Sequence, residues 1–395
     1  MKVCPKQYPG ILMKKINILE PVLFRLEKSY LQDCIDYNEI STYGRFIEQF
    51  ENQIKKISKS RYAVALTSGS TALLIAFKTI GVKKDDLVLT ASYTFAATTN
   101  AIIHAQAKPV LFDIDPKTFC LDVNKVQKFL EDCTYKKGNY FYEKKTKKRI
   151  YCICPVTTFS IVPDLKKIKF LAKKYNLRVI IDAASALGSY YRKESIIKYS
   201  DLTVFSFNGN KSYTSGGGGA IATNNKSYAD YIKLLSTNAK SKKKPYTYSE
   251  PGYNFRITNL HAAIGLGQLK NFNKINKIKM HIQKNYEMRL IKKNFLFPPT
   301  PKWSFHKLWI NFVIVDDKFL FNKLISQLKK KNILTSNFWK PMHLQKDKNF
   351  LIGSNFNYTN LIWDKVLTLP SSINLKNKDQ IKVINTINKT LSNEI

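Results

Sequence analysis

Acidic residues and long apolar segments are scarce in this chain of 395 residues. It contains no run of roughly 18 apolar residues, so the sequence does not predict a membrane-spanning helix. The opening stretch MKVCPKQYPGILMKK has no long apolar segment of the kind found in secretory signals, so we expect no such leader. Glycine (15 residues) and proline (14 residues) are too infrequent for a collagen-like or low-complexity chain. The composition predicts a globular cytoplasmic protein with no membrane partner.

The shortage of acidic residues leaves a strong positive charge, because 65 Lys and Arg face 28 Asp and Glu, a net +37. Such a charge is compatible with nucleic acid, an anionic membrane surface or a phosphorylated substrate. The lysines are spread along the whole chain, and the basic runs 135–149 and 240–244 stand where loops are expected. We interpret the charge as a solvated, compositionally biased surface and expect no nucleic-acid partner. A nucleic-acid binder is an alternative that rests on charge alone.

Cysteine and histidine show no pattern typical of a metal site. The six cysteines form no Cys-x-x-Cys pair, and the five histidines have no metal-ligand spacing. Reduced, buried cysteines are expected in a cytoplasmic protein. The sequence therefore predicts no metal.

Apolar runs of strand length alternate with helical patterns after Arg61. The predicted strands are residues 63–67, 87–92, 110–114, 151–156, 179–181 and 203–207. This alternation predicts an α/β fold whose mostly parallel sheet is covered by helices on both faces. We expect an N-terminal helical segment (1–55), a large α/β domain (56–250) and a smaller C-terminal α+β domain (251–395). One long helix is predicted from residue 259 onward.

Residues 67–71 (Thr-Ser-Gly-Ser-Thr) directly follow a predicted strand and open a helix. Backbone N–H groups and small hydroxyls at a helix N-terminus can bind an anion, most often phosphate. The alternative is an ordinary helix cap, which Ser and Thr also supply.

Asp182 ends the apolar strand in VIIDAASALGS. Burial of a carboxylate is costly unless it is paired, and one use is to keep the pyridine nitrogen of a cofactor protonated. The alternative is a helix N-cap.

Lys211 stands between the end of another predicted strand and the four glycines 216–219. A desolvated lysine can form a Schiff base with a carbonyl group, whereas most lysines are solvated surface amines. Further on, residues 252–256 place Tyr, Asn and Arg before a helix rich in small residues, an arrangement that also suits a packed domain junction.

A phosphate-binding turn, an aromatic residue, a carboxylate and a lysine in this chain order match what pyridoxal phosphate requires. The sequence resembles the DegT/DnrJ/StrS sugar aminotransferases over nearly its whole length. The family's Thr-Phe-x-Ala-Thr segment matches residues 94–98, and its Pro-Val-Phe-x-Asp-like strand matches residues 109–113. Its Asp-Ala-Ala, Ser-Phe…Lys and Gly-Tyr-Asn-Tyr-Arg segments match residues 182–184, 206–211 and 252–256. The resemblance implies a fold type I transferase that depends on pyridoxal phosphate.

The resemblance also implies roles for single residues. Lys211 would bind the cofactor covalently and later move the proton, and Asp182 would hold the pyridinium proton. Phe95 would stack on the ring. Related dehydratases carry His in place of the lysine, so Lys211 favours transamination.

Further residues complete the expected site. Ser70, Thr71 and Ser206 would bind the phosphate. Asn254 and Arg256 would reach it from a neighbouring subunit, so the resemblance implies at least a homodimer.

Three more positions are candidates by resemblance. Ser185 stands near the phenolic oxygen of the cofactor, where relatives often have Gln or His. Tyr43 and His343 are candidate substrate-binding residues. Ile181 replaces an acidic residue that many relatives have before the Asp.

Residues 206–211, 237–240, 341–343 and 369–372 resemble the bacillosamine and legionaminic-acid branch of the family. This implies amino transfer from L-glutamate to C4 of a UDP-linked 4-keto-6-deoxy-N-acetylhexosamine, for bacterial surface glycans. The alternatives are a GDP- or dTDP-linked ketosugar, or a catalytically silent regulator that binds pyridoxal phosphate.

Overall fold

The computed structural model describes residues 15–241, 244, 246–291 and 295–392. The opening stretch that bears on a leader and residues 242–243 of the basic run 240–244 lie outside these residues. The strands are β1 (Tyr62–Leu66), β2 (Leu87–Ala91), β3 (Lys108–Phe112), β4 (Thr134–Lys137), β5 (Tyr140–Glu143), β6 (Arg149–Cys154), β7 (Arg178–Asp182), β8 (Tyr190–Tyr191), β9 (Glu194–Ser195), β10 (Leu202–Ser206), β11 (Gly219–Thr223), β12 (Phe295–Leu296), β13 (Ser304–Phe305), β14 (Asn311–Val315), β15 (Leu351–Ile352) and β16 (Val366–Leu369). The helices are α1 (Arg25–Asp36), α2 (Arg45–Ser58), α3 (Gly69–Thr79), α4 (Ala97–His104), α5 (Val123–Asp132), α6 (Leu165–Lys174), α7 (Lys226–Ser236), α8 (Asn259–Lys270), α9 (Phe272–Arg289), α10 (Lys318–Lys330), α11 (Asn357–Ile362) and α12 (Asn377–Ser392).

The large sheet has the strand order β1-β11-β10-β7-β6-β2-β3-β15. Neighbours from β10 to β15 are parallel, whereas β11 runs antiparallel to both β1 and β10. The predicted α/β class with a mostly parallel sheet is thus confirmed. Because the parallel strands share one direction, their carboxyl ends meet at one edge, where open α/β sheets bind ligands.

Two apolar layers cover the faces of the sheet. Alternate residues of β6 show this arrangement, because Ile153 packs into one core cluster while Cys152 and Cys154 pack into the other. The described cysteines are all free. No helix in the described ranges is both long enough and apolar enough to cross a bilayer.

The C-terminal part has its own three-stranded sheet, β12-β14-β16. A separate apolar cluster from this sheet and helices α9, α10 and α12 forms its core. Two features cross the predicted boundary at residue 250: β15 pairs with β3 of the large sheet, and α8 packs on α1 and α2. The domain limits remain a prediction.

Two local expectations are wrong. The single long helix from residue 259 is two helices, α8 and α9, which meet at Asn271, whose side chain caps the Gly267 carbonyl at 3.0 Å. The basic run 135–149 is not only loop, since β4 and β5 form a hairpin that pairs with β6. Phe141 anchors this hairpin by packing edge-on against Tyr175, with ring centroids 4.8 Å apart. Strand β11 was not predicted.

Candidate active site

The N-terminus of α3 lies beside the carboxyl end of β10. Ser68 caps the helix by accepting a hydrogen bond from the Thr71 N–H at 3.1 Å, and the Thr71 hydroxyl donates to the Ser68 carbonyl at 2.9 Å. A Cβ atom at Gly69 would stand 2.8 Å from Cβ of Ser206, so only glycine allows this close approach. The exposed Ser70, the half-buried Ser206 and the first N–H groups of α3 are groups that could bind a phosphate here. Thr71 serves the helix cap as well.

Asp182 ends β7 at the same edge and is 4% exposed. Its carboxylate accepts hydrogen bonds from the Thr98 hydroxyl at 2.7 Å and from the Ala184 N–H at 3.1 Å. Burial raises the pKa of the carboxyl group, while the Thr98 and Ala184 hydrogen bonds and the charge of Lys211 act against that rise. A buried carboxylate with only two hydrogen-bond donors can hold one more, such as a protonated ring nitrogen.

Lys211 lies in the loop that leads from β10 back to β11. Burial lowers the pKa of its amine to about 8, although the nearby Asp182 charge acts in the opposite direction. The amine lies 4.2 Å from the ring centroid of Trp309. A lysine with a lowered pKa has an appreciable neutral fraction, which Schiff-base chemistry needs.

Phe95 lies in the loop after β2 with 60% of its surface exposed, so a ring face is open for stacking. Phe95 belongs to a group of aromatic side chains, and its ring centroid lies 6.4 Å from that of Trp339. Trp339 in turn stacks on Phe159 at 5.2 Å and lies 6.2 Å from Trp309.

The two residues predicted to serve a neighbouring subunit differ in their surroundings. Asn254 is exposed. Arg256 forms an ion pair with Glu51 of its own chain at 2.9 Å, and both side chains are largely buried. Glu51 also accepts the Ala65 N–H at 2.9 Å, so the pair ties the 252–256 loop to β1. Glu51 of the same chain therefore balances the charge of Arg256.

Ser185 and Tyr43, two of the candidates by resemblance, differ in exposure. Ser185 follows Asp182 and is half-buried, and its carbonyl accepts the Ser160 hydroxyl at 2.6 Å. Tyr43 is 81% exposed in the loop between α1 and α2. Asn259 holds that loop, since its side-chain amide donates to the Glu39 carbonyl at 2.7 Å.

His343 has partners on both ring nitrogens. Nδ1 lies 2.6 Å from the Ser92 hydroxyl, and Nε2 lies 2.8 Å from the Asn360 side-chain oxygen. The amide oxygen can only accept, so we assign the neutral tautomer with the proton on Nε2. Burial lowers the pKa of His343 from its usual value. The residue therefore fastens the 341–345 segment to Ser92, just before Phe95.

We expect His343→Ala to lower the free energy of unfolding by about 1–3 kcal/mol at pH 8, because it removes the ring nitrogen that accepts the hydrogen bond of the buried Ser92 hydroxyl. The loss should be smaller at pH 5. The pKa of His343 is lower in the folded than in the unfolded state, so the histidine's contribution is present at high pH and declines as pH falls below about 6.5. Urea unfolding at both pH values measures the difference. His104→Ala, at an exposed position of α4, is the control. Equal losses at the two pH values would contradict the neutral assignment.

Several contacts of the site are not visible in the sequence motifs. Thr98 is the last residue of the 94–98 segment, and its hydroxyl, which bonds Asp182, was not singled out. Trp309 and Trp339 come from the C-terminal part of the chain and reach the site only through the fold. Their one available signal was the rarity of tryptophan, with four residues in the chain.

Comparison with known proteins identifies the family and the fold. The model of the DegT/DnrJ/EryC1/StrS aminotransferase family matches residues 24–388. A GDP-perosamine synthase of Vibrio cholerae is 29% identical over 372 residues, which are 93% of this chain and 97% of that protein. A UDP-4-amino-4,6-dideoxy-N-acetyl-beta-L-altrosamine transaminase of Campylobacter jejuni is 34% identical over 256 residues, 63% of this chain and 64% of the relative. The Spr1654 protein of Streptococcus pneumoniae, solved in its PLP form, has a TM-score of 0.85 at 20% identity and covers 97% of this chain and 100% of its own.

The fold and the site therefore define a fold type I transferase that depends on pyridoxal phosphate. The match over residues 24–388 shows that the chain belongs to the DegT/DnrJ/EryC1/StrS aminotransferase family. It is a sugar aminotransferase, and both the predicted family and the predicted cofactor are confirmed.

Proposed function

We propose that Lys211, Asp182, Phe95, Ser70 and Ser206 hold pyridoxal phosphate and carry out amino transfer from L-glutamate to a nucleotide-linked 4-ketosugar. The observation that carries the proposal is the nearness of the Lys211 amine to the buried Asp182 carboxylate. A lysine whose pKa is lowered to about 8 stands close enough to a buried carboxylate for the two charges to interact, at the ligand-binding edge of the sheet.

The cofactor, when bound, supplies a conjugated ring that accepts electrons as a bond to hydrogen breaks at the neighbouring carbon. The chain's own groups do the rest. Asp182 keeps a positive charge on the ring nitrogen because its carboxylate is buried and can accept a further hydrogen bond. Lys211 Nζ takes the proton from the α-carbon of glutamate and delivers a proton to C4 of the sugar in the second half of the reaction. Positioned proton transfer of this kind contributes about 10²–10⁴-fold in rate.

The sugar proposed first is a UDP-linked 4-keto-6-deoxy-N-acetylhexosamine. Its support is the resemblance of residues 206–211, 237–240, 341–343 and 369–372 to the bacillosamine and legionaminic-acid branch, and the similarity to the Campylobacter UDP-amino-sugar transaminase. A GDP-linked 4-ketosugar is the second candidate. It is favoured by the similarity to GDP-perosamine synthase over nearly the full length of both chains.

A substrate panel tests the proposal. Purified holoenzyme is mixed with glutamate and, separately, UDP-, GDP- and dTDP-linked 4-ketosugars, and the products are read by mass spectrometry and NMR. We expect an amino group at C4 of one of these sugars together with 2-oxoglutarate. If the cofactor absorbance does not respond to glutamate at all, the amino-transfer proposal fails. If only the GDP sugar is converted, the first candidate sugar is replaced by the second.

We also propose that two chains share each site, with Asn254 as the residue that serves the neighbour. Lys211→Ala and Asn254→Ala chains, each inactive alone, should regain about a quarter of the parental activity when coexpressed. Half of the dimers are then mixed, and each mixed dimer has one intact site of two. Amine transfer by the whole coexpressed mixture is the measurement, and mixed dimers isolated through two different tags should have about half of the parental activity.

Two chains that both carry Lys211→Ala are the matched control and should remain inactive. If isolated mixed dimers are as inactive as this control, or if a monomer has full activity, the shared site is refuted.

A further inference from the structure

Lys279 is a second buried lysine, and the proposed chemistry does not use it. It lies in α9 with 4% of its surface exposed. Its Nζ donates hydrogen bonds to the carbonyl oxygens of Trp309 at 2.5 Å and Ser371 at 2.9 Å. Both acceptors are main-chain atoms, so the amine holds two segments of the C-terminal part together.

Trp309 connects this amine to Lys211. Its indole Nε1 donates to the carbonyl of Asn210 at 2.6 Å, one residue before Lys211. Its ring centroid lies 4.2 Å from the Lys211 Nζ atom. Lys279 therefore holds the main chain of Trp309, Asn210 holds its ring, and one face of the ring contacts the Lys211 amine.

We propose that Lys279 and Trp309 are positioning residues for Lys211: Lys279 fixes the main chain of Trp309, and the indole face fixes the Lys211 amine. The inference rests on the proposed role of Lys211. It identifies Lys279 and Trp309 as the residues that determine the position of the Lys211 amine. An indole face attracts an ammonium group, so Trp309 favours the charged form of Lys211 and opposes the effect of burial.

The charge state of Lys279 is compatible with its two hydrogen bonds to main-chain carbonyls. Burial lowers the pKa of Lys279 to about 7, so this amine is mostly neutral near pH 8, where Lys211 titrates. A neutral amine has two N–H donors, and Lys279 has two carbonyl acceptors. Lys211 and Glu20 are the other titratable groups that line the small cavity beside Lys279. Replacing Lys279 therefore removes the hydrogen bonds to the Trp309 and Ser371 carbonyls with little change of charge beside Lys211.

The test measures the titration of Lys211 in cofactor-free protein. Isotope-coded acetic anhydride labels neutral amines, and the labelling of the Lys211 peptide is followed against pH by mass spectrometry. We expect Trp309→Leu to lower the midpoint by roughly half to one pH unit, since the site stays apolar but loses the aromatic face. Trp309→Phe keeps a face and should stay close to the parent. Lys279→Met should lower the midpoint by a smaller amount. Lys284→Met, at an exposed position of the same helix, is the matched control and should titrate like the parent.

A midpoint in Trp309→Leu that equals or exceeds the parental one overturns the proposal, as does a change of the same size in Lys284→Met. If circular dichroism shows that Trp309→Leu does not fold, the Lys279→Met variant tests the proposal instead. A parental labelling midpoint of Lys211 in that variant refutes the positioning role of Lys279. The labelling uses neither cofactor nor sugar. The positioning proposal can therefore fail while Lys211 still proves to be the lysine that binds the cofactor. Conversely, a cofactor found on another lysine would refute the proposed function without altering the labelling of Lys211.

Discussion

Lys211→Ala should abolish transamination, with a loss of at least about 10²–10⁴-fold from proton transfer alone and more from the missing covalent link. The reason is structural, because Lys211 is the lysine whose amine both stands near Asp182 and has a pKa lowered to about 8. The measurement is 2-oxoglutarate formed from glutamate by protein supplied with pyridoxal phosphate. Lys284→Ala, on the exposed side of α9, is the control and should retain full activity.

Borohydride reduction followed by peptide mapping gives a second, independent result. The pyridoxyl group is expected on Lys211. Lys279 is the informative competitor, since burial lowers its pKa to about 7. A label on Lys279, or turnover by Lys211→Ala at the control rate, would refute the assignment of Lys211.

Asp182→Asn should slow both half-reactions by about 10²–10³-fold, because a neutral amide no longer stabilises a protonated ring nitrogen. The fold should survive the change. The amide can accept the Ala184 N–H and donate to the Thr98 hydroxyl, the two groups that now donate to the carboxylate. Stopped-flow absorbance with glutamate, and then with the ketosugar, measures each half-reaction. Thr98→Val is the matched variant: it keeps the charge, loses one hydrogen bond and should cost about tenfold or less.

Stability measurements separate this role from a structural one. Burial raises the pKa of Asp182, so the ionised carboxylate is a cost to the folded, cofactor-free protein at neutral pH. Asp182→Asn should therefore leave the free energy of unfolding of that protein unchanged or higher. Parental transamination rates, or a clear loss of stability without a loss of rate, would show that Asp182 serves the fold alone.

The sequence predicted the site best where strand ends carry its residues. β1, β7 and β10 are short apolar runs bounded by polar residues, and their ends place Thr71, Asp182 and Ser206 at one edge of the sheet. β11 begins at the last of the four glycines and consists mostly of small residues, so this strand has no comparable apolar run. The break at Asn271 was missed because the helical pattern continues through it on both sides.

The contacts that could not be predicted join distant parts of the chain. Arg256 was expected to reach a neighbour's phosphate, but Glu51 lies 205 positions away in sequence and no local pattern pairs the two. The contact between Lys211 and Trp309, and that between His343 and Ser92, likewise depend on how the C-terminal part packs on the large sheet. Periodicity and motif spacing report local structure, so such pairings become visible only in the folded chain.

Asp113, at the end of β3, links the large sheet to the C-terminal part of the chain. Its buried carboxylate accepts the Lys125 amine at 2.7 Å and the backbone N–H groups of Tyr358 and Thr359 at 3.0 and 2.8 Å. Together with β15, it joins the start of α11 to the large sheet across some 240 positions of sequence. A chimera cut near residue 250 would have to recreate this junction at a buried charge, where an unmatched partner is costly. The C-terminal part can therefore be exchanged only with one whose α11 start offers the Asp113 carboxylate the same N–H donors.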